Sequence, residues 1–194
     1  MIGRTSQCGG MDAPARTPPK RPSHDGCLLG VDPGLQRTGY AILVPTASGE
    51  PRLVEAGVIR LSRSLPLTER LLELDRSLTE LTRNFRPAAM ACEELYSHYR
   101  HPRTAILMGH ARGVVLVCAA RSGLPVIPIS ATRAKKLLTG RGHAGKPQMQ
   151  RAAAAMLRLN ALPEPHDVAD AIAIALAGLR LRHAEALLTA EGGA

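Results

Sequence analysis

The chain has 194 residues, 45% of them apolar, enough to bury one ordinary core and so to predict one domain. Aromatic residues supply only 2%, with no Trp and one Phe, so the core must be built from Leu, Val, Ile and Ala. No uninterrupted run of 18 apolar residues occurs and the first residues lack the apolar stretch of a secretory signal, which predicts a cytoplasmic protein without a membrane span.

The net charge of +9 is spread unevenly. Between Leu95 and Pro163 there is no Asp or Glu, yet eleven Lys and Arg residues fall there; the rest of the chain holds fourteen bases against sixteen acids. Such a segment predicts a surface for a polyanion, with a solvated basic face as the alternative reading. The four cysteines, Cys8, Cys27, Cys92 and Cys118, form no C-x-x-C pair. That argues against a zinc site, and Cys92 and Cys118 sit in apolar runs as small hydrophobes of a reducing compartment.

Residues 1–27 are rich in Pro, Gly, Ser, Thr and Arg without hydrophobic periodicity, which predicts a disordered tail, with Met11 as an alternative start. Three strand-like runs follow at 28–32, 38–45 and 52–60, separated by turn-rich "PGLQR" and "PTASGEP". The period then changes: Leu67, Leu71, Leu74, Leu78 and Leu81 recur at spacings of four and three, a helix begun near Ser64 and Pro66 and ended by Arg86-Pro87. "AAMACEEL" (88–95) reads as a fourth strand, 102–121 as a second helix and "LPVIPIS" (124–130) as a fifth strand. Gly109, Ala111 and Gly113 on the second helix imply that another backbone approaches it. Further helices are predicted at 131–138, 147–158 and 166–182, within a domain spanning 28–183, and residues 184–194 are expected to fray. The order βββ-α-β-α-β-α describes an α/β domain: a mixed five-stranded sheet, three antiparallel strands then β-α alternation, with helices on both faces. That is the ribonuclease H-like arrangement.

The first strand ends at Asp32 and the fourth at Glu93, and if the two are neighbours their carboxylates meet at one end of the sheet. The last helix opens with "HDVADAIAIAL", placing Asp167 and Asp170 three apart on one helix face. Four converging carboxylates repel one another unless divalent cations hold them, and oxygen donors select Mg²⁺ or Mn²⁺. Two such ions would suit phosphodiester hydrolysis. Taken singly, Asp167 reads equally well as a helix cap, Glu94 as a solvated neighbour, and His166 as a capping histidine that can also reach the site.

The segments "LGVDPGLQRTGYAIL", "ACEELY", "MGHARGVVL", "KKLLTGRGHAGKPQMQ" and "DVADAIAIAL" follow one another in order from Leu28 to Arg182. Together they resemble the RuvC family of bacterial Holliday-junction resolvases, crossover junction endodeoxyribonucleases of the ribonuclease H-like superfamily. The resemblance implies a homodimeric, Mg²⁺-dependent endonuclease that binds two ions per site, accepts Mn²⁺, and nicks four-way junction DNA symmetrically during recombination and repair. The products would carry 5′-phosphate and 3′-hydroxyl ends. Its catalytic, metal-binding acids fall on Asp32, Glu93, Asp167 and Asp170, and its DNA-binding residues on Tyr96, Lys135 and Lys146. It also implies a branch-migration complex of the RuvA and RuvB type as partner, and work at the nucleoid. The tail and the "SHYRHPRT" loop depart from the family pattern, and His110 stands where Gln is commoner. An RNA-cleaving relative of the same fold, a junction-binding protein without catalysis, and an actin-like phosphotransferase are the competing readings. The phosphotransferase needs two such domains.

Overall fold

The computed structural model describes residues 26–95 and 102–191. The expected tail up to residue 25, Tyr96 and most of the "SHYRHPRT" loop lie outside the described residues. Five strands form one sheet: β1 (Leu28–Asp32), β2 (Arg37–Val44), β3 (Arg52–Arg60), β4 (Ala89–Glu93) and β5 (Val126–Ile129). The helices are α1 (Leu67–Phe85), α2 (Pro102–Arg121), α3 (Ala131–Thr139), α4 (Lys146–Met156) and α5 (His166–Glu191). The sheet order is β3-β2-β1-β4-β5, with β1/β2 and β2/β3 antiparallel and β1/β4 and β4/β5 parallel. The mixed ribonuclease H-like sheet expected from the sequence is therefore present, and β1 and β4 are neighbours.

Alternation along β1 sorts its side chains into two cores. Leu29 and Val31 join Ile42, Leu74, Leu78, Met90, Val115 and Cys118 under α1 and α2. Leu28 faces the other way, with Ala41, Ala89 and Ala91, and meets Ile172, Ala175 and Leu176 of α5 together with α3 and α4. Leucine spacing in α1 turns Leu74 and Leu78 inward, and the helix ends where Arg86 takes a left-handed conformation (φ 47°) and donates its N–H to Thr82 O. Cys92 and Cys118 are fully buried in the α1/α2 core, as expected of small hydrophobes, and burial pushes the Cys92 thiol up to about 12.

Two boundaries and one expectation about apolar length differ from the sequence reading. Cys27, assigned to the tail, is fully buried, and its thiol donates to Phe85 O at 3.3 Å, so the ordered domain begins before Leu28. Helix α5 continues to Glu191 instead of fraying from residue 184, because "HAEALLTAE" holds good helix formers and no Gly or Pro. Residues 103–121 of α2 are long and apolar enough by length and composition to cross a membrane, which corrects the expectation that no segment qualifies. Its Arg112 and His110 interrupt the apolar run without lowering the average enough, and its Ala111, Val115, Cys118 and Ala119 are spent on the core.

Helix α5 is the organising element, packed on β1, β2 and β4 and against α3 and α4. It lies so close to the sheet that a Cβ on Gly30 would stand 2.6 Å from Ala171 O and from Ala175 Cβ. A Cβ on Gly39 would stand 2.2 Å from Asp167 O. Neither distance is tolerated between real atoms, so glycine at both positions is a packing requirement. Gly30→Ala is expected to destabilise the fold by roughly 1–3 kcal/mol, the usual cost of overpacking. Urea denaturation of the variant reads this directly; an unchanged midpoint would show that α5 can move off the sheet without cost.

Candidate active site

Parallel pairing of β1 with β4 sets Val31 beside Cys92, so Asp32 and Glu93 end their strands side by side. Both share the sheet face that carries Gly30, Ala91 and Gly39, which is the face α5 covers. Helix α5 begins at His166, entered through a cis Glu164–Pro165 bond, with Val168 N–H donating to Pro165 O at 2.9 Å. Gln150 of α4 steadies the approach by donating to Pro163 O at 3.0 Å. The first turns of α5 thereby bring Asp167 and Asp170 to the strand ends, and all four acids are partly accessible there.

Their electrostatics show that they act on one another. Asp32 is lifted well above the ordinary carboxylate range, first by burial, then by the charge of Glu93 and a shared hydrogen bond, with Asp170 and Asp167 adding to it. Glu93 is also raised by burial, a rise that its hydrogen bond with Asp32 opposes. Burial raises Asp170 too, against the attraction of Lys135, His166 and Lys146. Lys135 of α3 and Lys146 at the start of α4 are thus close enough for their charges to be felt at the acids. Lys146 Nζ donates to His166 Nε2 at 2.7 Å, so this nitrogen of His166 accepts.

Asp167 is oriented away from a shared centre. Its Oδ2 lies 3.5 Å from Arg37 Nε and its Oδ1 3.8 Å from His166 Nε2. Oδ2 is buried and makes no hydrogen bond. As positioned, no three His, Cys, Asp or Glu side chains among the described residues form a ready coordination cluster. The donor set nevertheless suits a hard divalent cation: it is all carboxylate, mutually repelling, and holds a buried oxygen without a hydrogen-bond partner.

Of the residues singled out in the sequence, Asp32, Glu93, Asp167, Asp170, Lys135 and Lys146 come together, and His166 joins them. Glu94 is held differently, its backbone N–H donating to Ile129 O at 2.9 Å, and it contributes to none of these shifts. Arg37 and Arg112 were missed. Arg112 Nε donates to Glu93 O at 3.0 Å and fixes the end of β4 to α2. An arginine one turn beyond a glycine on an apolar helix is a weak signal, and Arg37 reads in sequence as a plain turn residue. The eleven bases of the acid-free segment do not make one patch. Arg121 pairs with Asp75 on α1, and Arg158 pairs with Glu50 at 2.8 Å, whereas Lys135 and Lys146 act on the carboxylates.

Comparison with known proteins identifies the family. The family model described as crossover junction endodeoxyribonuclease RuvC matches residues 28–178. A crossover junction endodeoxyribonuclease RuvC of Rhodopirellula baltica is 51% identical over 160 residues, covering 81% of this chain and 88% of that protein. Among solved structures, Thermus thermophilus RuvC superposes with a TM-score of 0.73 at 33% identity, covering 81% of this chain and 96% of that one. The same protein in complex with Holliday junction substrate gives 0.74 at the same identity and coverage. With its fold and most of its length matched in this way, the chain belongs to the RuvC family of crossover junction endodeoxyribonucleases.

Proposed function

We propose that this chain resolves four-way DNA junctions by hydrolysing one phosphodiester in each of two symmetry-related strands, leaving 5′-phosphate and 3′-hydroxyl ends. The observation that carries the reading is the convergence of Asp32, Glu93, Asp167 and Asp170, drawn from three distant segments, beside Lys135 and Lys146. The four carboxylates would hold two Mg²⁺ ions, with Mn²⁺ as a substitute. When bound, such ions supply Lewis-acid charge at the scissile phosphate and lower the pKa of an attacking water.

The chain's own groups do the rest. Asp32 and Glu93, anchored on adjacent strands, provide the rigid half of the donor set. Asp170 completes it from the helix, and Asp167 serves as ligand or as orienter of water. Lys135 and Lys146 neutralise phosphate charge on the α3/α4 side, and Lys146 is held in place by His166. Tyr96 follows the second acid by three residues and is assigned a stacking contact with DNA on family resemblance alone. The same resemblance supports a nuclease domain, a branch-migration complex of the RuvA and RuvB type as partner, and action on cytoplasmic, nucleoid DNA, while composition alone supports a separate N-terminal tail.

A two-fold junction calls for two copies of the site. The outer face of α2 supplies a surface for a second copy: Ile106 and Val117 are 61% and 55% exposed, and nothing lies within 4 Å of a Cβ placed on Gly109 or Gly113. Among the described residues nothing packs on these glycines, which leaves the close approach that the small residues implied to a second copy of the chain. They border an open cavity of about 550 Å³ between Ile106 and Arg121. Val117→Glu is expected to convert the dimer to a folded monomer, measured by sedimentation; a variant that remains dimeric would remove α2 from the interface.

Incubation of the protein with synthetic four-way junction, duplex and RNA–DNA hybrid, in Mg²⁺ and in EDTA, tests the activity. Cleavage of the junction alone, and only with metal, is the expected result. Asp32→Asn, Glu93→Gln, Asp167→Asn and Asp170→Asn should each reduce cleavage by two orders of magnitude or more, with junction affinity kept or tightened, while Glu94→Gln stays active. A dead Glu94→Gln beside an active Glu93→Gln would place the second metal ligand at the wrong position.

The shifted carboxyl of Asp32 also affects stability. Its folded value lies above its unfolded one, so ionising it opposes folding: the cost is absent in acid below the ordinary carboxylate range. The cost grows as pH rises toward the raised value and persists above it. Asp32→Asn should therefore raise the melting temperature in EDTA at neutral pH, with the gain vanishing in acid. Equal melting temperatures at neutral pH would mean that repulsion at the cluster costs the fold nothing.

A further inference from the structure

We propose that Arg37 and Arg60 form a second phosphate-binding position, on the flank of the carboxylate cluster opposite Lys135 and Lys146, which holds the DNA backbone as it leaves the site. The two arginines are register partners across β2 and β3, so they stand directly opposite one another. They fall on the sheet face that α5 covers: Arg37 alternates with Gly39 and Ala41, and Arg60 with Val58, which packs in the α5 core. Because Asp32 pairs with Gly39, Arg37 stands two residues along β2 from the catalytic end of β1, a separation of about 7 Å.

Like charges directly opposite on a sheet destabilise it, so this pair calls for an anion. The protein does not provide enough of one. Arg37 has its ion pair with Asp167 at 3.5 Å, with its side chain 44% exposed. The exposed guanidinium of Arg60 has no hydrogen bond or ion pair among the described residues. Where Asp167 also serves a metal, as proposed above, less of its charge remains for the two arginines. A phosphodiester oxygen is the anion that a fork of guanidinium donors fits.

The turn that presents Arg37 is built to be rigid. Thr38, fully buried, donates its hydroxyl to Gly34 O at 2.7 Å and accepts from Gly34 N–H at 3.2 Å. Leu61 N–H donates to Gln36 O at 3.0 Å, and Arg70 of α1 donates to Leu35 O. Arg63 donates to the Gln36 side chain and adds a further base to the same rim. A turn held at Gly34, Leu35, Gln36 and Thr38 fixes the backbone from which Arg37 projects and so lowers the ordering cost of binding.

The position rests on reading the cluster as a DNA-cleaving site, and the test separates the two. Affinity of the full chain for a synthetic four-way junction is measured in Ca²⁺ across a range of salt. The variants are Arg37→Ala, Arg60→Ala, Arg60→Lys and the pair Lys135→Ala with Lys146→Ala; Arg158→Ala, tied to Glu50 and remote from the acids, is the control. Each arginine-to-alanine change should reduce the slope of log K against log salt by about 0.9, the value for one phosphate contact on B-DNA, and Arg60→Lys should keep the slope. An unchanged slope in Arg60→Ala overturns the proposal. So does an Arg37→Ala protein that binds normally but needs a different Mg²⁺ concentration for cleavage, since Arg37 would then be only the counter-ion of Asp167. A reduced slope in the arginine variants with none in the lysine pair supports this flank and defeats the lysine assignment instead.

Discussion

Everything at the site depends on how closely the last helix lies on the sheet. Asp has a short side chain, so acids on a helix can join acids on strands only where the two backbones nearly touch. Gly39 makes that possible for Asp167, since any side chain there would collide with the Asp167 carbonyl. Gly30 does the same one layer further in, against Ala171 and Ala175. The alternation of Ala and Ile along α5 belongs to the same constraint: small residues permit contact while Ile172, Ile174 and Leu176 fill the space between α5 and its neighbours.

Close approach has an electrostatic cost that the fold accepts. Burial and mutual repulsion hold Asp32, Glu93 and Asp170 above their usual ionisation range, with Lys135 and Lys146 easing Asp170 and Arg37 paired with Asp167. Such a cluster is poor for stability and suited to a ligand that brings positive charge. The cations around it are not uniform. Lys135 and Lys146 bring point charges from short helices, Lys146 bonded to His166, whereas Arg37 sits on a turn braced by Thr38, Leu61 and Arg70.

Much of this was legible in the sequence because periodicity and strand ends are local signals. The change from alternation to a spacing of three and four at Leu67 separated meander from helix. Asp32 stood out because Pro33-Gly34 already supplied the turn, leaving its carboxylate unexplained. What stayed hidden depends on register and on tertiary distance. That Arg37 faces Arg60 follows from how β2 and β3 pair, and that it meets Asp167 follows from where α5 docks; neither is written in the neighbours of residue 37. Gly109 and Gly113 read as close-packing positions, but composition cannot tell whether the approaching backbone belongs to the same chain. The acid-free segment looked like a single surface, yet Arg121 and Arg158 are paired with Asp75 and Glu50 from other segments.

The order in which the acids occur along the chain has a consequence for synthesis. Asp32 and Glu93 leave the ribosome early, but Asp167 and Asp170 arrive only after residue 166, and α5 must then run on far enough to pack across β1, β2 and β4. A nascent or prematurely terminated chain holds half of the donor set and lacks the helix that buries the sheet face. Both the packing of the sheet face and the completion of the acid cluster therefore wait on the last helix to be synthesised.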